Sequence, residues 1–92
     1  MLKGNFKEEL ERKALDLIMQ QQDVFTANFI IMVLRAEYDD NVSFEEVADV
    51  VINAIEFCLS EGYLDAFEGF RYKVDPIKQI EFNNKHEETA SI

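Results

Sequence analysis

Glu45, Asp49, Asn53 and Glu56 recur at three- and four-residue spacing, which on a helix sets them along one face. Carboxylates in such a row can trade protons, hold a cation, or present a negative field to a basic surface. Proton chemistry lacks partners: the one histidine, His86, and the one cysteine, Cys58, are far apart, and no Cys-His or Ser-His-Asp system can be assembled around them. The adjacent pairs Glu45-Glu46 and Glu87-Glu88 are explained by the preference of helix N-termini for acid and by a solvated tail. Metal chemistry is no better served. One Cys and one His cannot supply a zinc set, and Asp39-Asp40-Asn41 lacks the spacing and central glycine of a calcium loop. Gly4, Gly62 and Gly69 stand apart, so no phosphate-cradling loop exists. The chain therefore reads as a non-enzyme with no catalytic residues, no cofactor and no metal.

The negative field remains. The chain carries 19 acidic and 9 basic residues, a formal net charge of −10. From Glu37 through Glu68 ten residues are acidic, and none is basic between Arg35 and Arg71. Such a surface repels nucleic acid, keeps a small protein soluble, and suits a basic partner. Glu45, Asp49 and Glu56, with Asp39 and Asp40 in the preceding loop, are the expected partner-binding residues.

The element that must hold this row runs from Val42 to Asp65. Ser43 and Glu46 form a capping box, with Glu46 reaching back to the Ser43 amide, and Val42 and Val47 form the hydrophobic staple. Gly62 supplies the left-handed residue of a Schellman turn, so that the helix stops at about Glu61 and Tyr63 folds back on Phe57 or Cys58. Between the caps, Val47, Val50, Val51, Ala54, Ile55, Cys58 and Leu59 make the apolar face. Cys58 is thus expected to be a buried thiol, in keeping with a reducing compartment.

Two helices precede it. Asn5 is expected to cap a first helix over residues 6–21, with Phe6, Leu10, Ala14, Leu17 and Ile18 inward and Glu8-Arg12 and Glu9-Lys13 pairs outward. Asp23 or Thr26 caps a second helix reaching Tyr38, with Phe29, Ile30, Val33, Leu34 and Tyr38 as its stripe. Ile31 and Met32 lie off that stripe, and a homodimer through this helix would cover them. After Gly62, residues 63–67 and 70–74 flank Glu68-Gly69 as a β-hairpin that Asp75-Pro76 ends. Residues 77–82 are open between an edge strand and no strand, and residues 83–92 read as a polar, frayed tail. The fold class is α+β, mainly α, with three helices followed by a small hairpin in one domain over residues 1–82. A helical bundle with the strands as an appendage is the alternative. The charged N-terminus MLKGNFKEELERK is no signal peptide, and no long apolar run occurs, so the expected protein is soluble, cytoplasmic and without a membrane partner.

Ser43-Phe44-Glu45-Glu46-Val47, Phe57-Cys58-Leu59, Glu61-Gly62-Tyr63-Leu64 and Phe70-Arg71-Tyr72-Lys73-Val74 together resemble the winged-helix variant of the helix-turn-helix fold, over residues 6–75. The resemblance implies a DNA-binding regulator whose third helix enters the major groove behind Lys, Arg, Asn or Gln. Here those positions hold Glu45, Asp49, Asn53 and Glu56. Two readings follow. The first is an acidic interaction module docking on a basic, nucleic-acid-handling protein, in its sharper form an inhibitor or DNA mimic, since Glu45 and Asp49 stand roughly 6 Å apart along the axis. The second is a regulator that grips phosphates through Arg71, Lys73 and Lys78, a small patch for a chain of this charge.

Overall fold

The computed structural model describes residues 4–38 and 41–90, and the side chains of residues 6–38 and 41–85. The elements in order are α1 (Gly4–Met19), β1 (Phe25–Thr26), α2 (Ala27–Ala36), α3 (Phe44–Ser60), β2 (Leu64–Phe67), β3 (Arg71–Val74) and α4 (Pro76–Ala90). The fold is α+β and mainly α, as the residue pattern indicates, with a fourth helix where an edge strand or no strand and then a tail are expected. Among the described residues no helix is long and apolar enough to cross a membrane.

α3 is the centre, packed on one flank by α1 and on another by α2. Its caps form as their residue types dictate. Ser43 Oγ accepts from the Glu46 amide at 3.2 Å, and Val42 and Val47 are both buried. The reciprocal arm differs from expectation: Glu46 Oε1 accepts from the Ser43 hydroxyl at 2.9 Å. At the far end the Tyr63 amide donates to Cys58 O at 2.8 Å and the Gly62 amide to Leu59 O at 3.2 Å, the two bonds of a Schellman turn, with Gly62 at φ 77°. Phe57 and Tyr63 meet edge-on at 6.1 Å between ring centres.

The core joins Leu10, Ala14 and Ile18 of α1, Ile30, Ile31 and Leu34 of α2, Val47, Val51, Ile55 and Cys58 of α3, and Leu64 and Val74 of the sheet. Leu17, Leu59 and Tyr63 pack partly against it. α1 begins at Gly4, ahead of the expected Asn5 cap, and ends at Met19, itself buried. In α2 the expected stripe is rotated. Thr26 caps the helix through a 3.1 Å bond from the Phe29 amide, and Phe29 is exposed with Met32 while Ile31 turns inward. A run apolar all round has no phase of its own, so what it packs against decides which side is buried.

The sheet is antiparallel in the order β1-β3-β2. Its third strand is Phe25–Thr26, which pairs with Tyr72 and Arg71, and not residues 77–82. Those residues and 83–90, read as a tail, form α4 instead. Asp75 and Pro76 are the physical reason. Asp75 Oδ1 accepts from the Ile77 and Lys78 amides at 2.9 and 3.2 Å, and Pro76 occupies the first helical position, where no amide hydrogen is required. Gln79 then ties α4 to the end of α1, donating to Met19 O at 2.8 Å and Gln21 O at 3.0 Å.

The hairpin turn is one residue longer than expected, Glu68 to Phe70, with Phe67 opposite Arg71. Gly69 has φ 78°, and Phe70, at φ 56°, is the one non-glycine in the left-handed region among the described residues. A bulky residue is strained there, while a side chain 79% exposed gains little from burial. Phe70→Gly should therefore raise stability by about 0.5–1 kcal/mol after the greater freedom of the unfolded chain is allowed for. A urea midpoint at or below wild type would show that the ring contributes more than the strain costs.

Candidate functional site

The outward face of α3 carries Glu45, Asp49, Asn53, Glu56 and Ser60, all exposed, and every ionisable group on the helix apart from Cys58 is a carboxylate. Helical spacing brings Glu45, Asp49 and Glu56 into one row, with Asp49 and Glu56 two turns, or roughly 10 Å, apart. Asn53 stands between them. Asp39 and Asp40 of the preceding loop lie outside the described residues. Two apolar side chains that residue counting did not place on this surface, Phe44 and Ile52, are about half exposed on the same helix. Ile52 sits off the apolar stripe of the helical wheel, three residues after Asp49 and four before Glu56, whereas Phe44, three before Val47 and seven before Val51, lies on the side of the stripe and is exposed at the first position of the helix.

The three expected phosphate-binding residues, Arg71, Lys73 and Lys78, are divided between two elements. Arg71 and Lys73, two apart on β3, share the outer face of the hairpin, where the register places Phe67 across from Arg71 and Asp65 across from Lys73. Arg71 Nε donates to Glu68 O at 2.8 Å, inside its own turn. Lys78, expected beside them in the wing, is on the first turn of α4 and pairs with Glu81 at 3.7 Å. The α4 assignment is what separates it from the other two.

Where α1 meets α3 a shallow open groove of about 250 Å³ is lined by Glu11 and Leu15 from the first helix and Val50, Asn53, Ala54 and Phe57 from the second. No lysine or arginine lines it. Nothing in the sequence pattern pointed to it, because its walls come from helices separated by the whole of α2.

No protein-family model, curated protein or solved structure matches this chain. Among the described residues no group of three or more His, Cys, Asp or Glu side chains is gathered in a way that could hold a metal ion.

Cys58 is fully buried in the core, as its position on the apolar face of α3 indicates. Burial disfavours the thiolate and pushes its pKa up, from 9.0 to about 11. A raised pKa means that the folded state holds the proton more tightly than the unfolded one. Its stabilising contribution is complete below about pH 9 and is lost as pH rises towards 11. Stability should fall across that window, and Cys58→Ala should flatten the fall; an equal slope in both proteins would assign it to other groups. The same burial makes this thiol a poor nucleophile.

Proposed function

We propose that the protein is a non-enzymatic interaction module whose α3 face docks on a basic surface of another protein. The observation that carries this reading is the charge of α3: Glu45, Glu46, Asp49 and Glu56 with no lysine or arginine, on a chain of net charge −10. An exposed apolar side chain beside the carboxylates, Ile52, supplies contact area that a purely charged face would lack. Complementary charge speeds encounter and selects against acidic competitors, and direct contacts then hold the complex. Inhibition of a nucleic-acid-handling protein, by occupying the groove where its phosphates bind, is the sharper form of the reading.

Affinity capture from a native lysate at low salt should recover basic proteins that physiological and higher salt progressively releases. Recovery of acidic or neutral proteins only would sink the proposal.

The second reading, a DNA-binding regulator of the winged-helix kind, is favoured by one observation, the side-by-side exposure of Arg71 and Lys73 on the hairpin. Two cations neutralise too few phosphates to hold a duplex against the charge of the whole chain. A homodimer is a further proposal and now involves Phe29 and Met32, since Ile31 belongs to the internal core. Sedimentation as a monomer at high micromolar concentration would remove it.

A further inference from the structure

We infer that the groove between α1 and α3 is the anchoring pocket of the interaction face, and that it takes one apolar side chain from a cationic amphipathic helix of the partner. The inference rests on the reading of α3 as the docking face and says how that face would hold its ligand.

The groove adjoins the row of carboxylates through Asn53, which belongs to both. It lines the groove, and it stands four residues after Asp49 and three before Glu56 on the outward face. The walls are Leu15, Val50, Ala54 and Phe57, with Val50 buried at the base and Leu15 and Ala54 half-buried. Phe57 is held as a wall by Tyr63, whose ring meets it edge-on and which is itself fixed by the Schellman turn. The volume, about 250 Å³, is below the roughly 300–1,000 Å³ of small-molecule sites and suits one or two side chains of a protein.

Charge decides the occupant. The one ionised group in the lining is the Glu11 carboxylate, and the adjoining outward positions of α3 are Asp49 and Glu56. A second copy of this acidic chain would bring carboxylates against carboxylates. A helix with cations at i and i+7 would instead set them roughly 10 Å apart, matching Asp49 and Glu56, and an apolar residue at i+3 or i+4 would fall between them at the groove. The result is a helix-in-groove contact with an apolar anchor between two charge pairs.

The test uses three synthetic helical peptides and the full chain. The first carries Lys at i and i+7 with Leu at i+3 and i+4. The second replaces those Leu residues with Ser, and the third replaces the Lys residues with Glu. Fluorescence anisotropy should show the first binding on the order of tenfold or more tighter than the second, the worth of a buried leucine side chain, with the third not binding. Ala54→Leu, which fills the groove, should abolish the preference for the first peptide while leaving the affinity for the second unchanged. Phe57→Ala, which removes a wall, provides the same readout if the filled variant fails to fold. Equal binding of the Leu and Ser peptides to the wild-type protein would overturn the pocket and leave the acidic face standing. Equal binding of the Lys and Glu peptides would overturn both. Self-association that Ala54→Leu removes, without any peptide preference, would assign the groove to a second copy and overturn the proposal.

Discussion

Ile55→Ala should destabilise the protein by about 2–5 kcal/mol, read as a lower urea midpoint at unchanged slope. Ile55 is 3% exposed in the cluster where α3 meets its neighbouring helices, with Val51 one turn before it and Cys58 nearly one turn after, both fully buried. Removing three carbons there loses their transfer energy and leaves a space that fixed neighbours cannot fill. A domain of this length is stable by roughly 5–14 kcal/mol, so one such change removes a large share of the total. Each kcal/mol corresponds to about 4–8 °C in Tm for a chain of this size. The same helix provides the control. Ile52, three residues earlier, is about half exposed, and Ile52→Ala should stay within about 0.5 kcal/mol of wild type. Equal effects at the two positions would mean that α3 is rotated from the orientation described.

The contrast between those two isoleucines was legible in the residue order, because α3 has a polar side to set its phase. Its ends were legible for a related reason: Ser43, Glu46, Gly62 and Tyr63 act on backbone groups a few residues away, so local spacing suffices. α2 is the opposite case. Phe29, Ile30, Ile31, Met32, Val33 and Leu34 surround the axis with apolar side chains, and only the positions of α1 and α3 settle that Ile31 is inside and Phe29 outside. β1 had no local signal at all. Two residues become a strand because β3 offers them a ladder, and that pairing spans nearly half the chain. For α4 the signal was present and ambiguous, since Asp-Pro both ends strands and begins helices, and residues 77–90 show little periodicity to decide between them. The acidic row was legible because it lies on one helix. The groove beside it was not, since it exists only once Leu15 and Phe57 have been brought together across the sequence.

Glu45→Lys, Asp49→Lys and Glu56→Lys together should abolish binding to a basic partner while the fold survives. Each reversal shifts the formal charge by two, so the variant stands at −4 against −10, still acidic overall but cationic along α3. All three side chains are exposed, so no buried group loses a partner. The one structural cost is at Glu45, in the first helical turn, where a cation opposes the helix dipole by roughly 0.3–1 kcal/mol. Like charges at a docking surface cost several kcal/mol, which predicts a loss in affinity on the order of a hundredfold or more at low salt. Arg71→Ala with Lys73→Ala should change binding by less than about threefold, since the hairpin lies off the proposed face and these residues have the same sign as the partner. Duplex DNA gives the opposite ordering. If Arg71 and Lys73 were the grip, two phosphates would be neutralised and log K would fall with log salt at a slope near −1.8, roughly tenfold between 50 and 200 mM. A DNA shift at physiological salt that the hairpin substitutions remove and the α3 reversals leave or strengthen would replace the interaction module with the winged-helix regulator. Loss of basic-partner binding on reversal of α3, with no DNA shift in the wild type, would place the function on the acidic face.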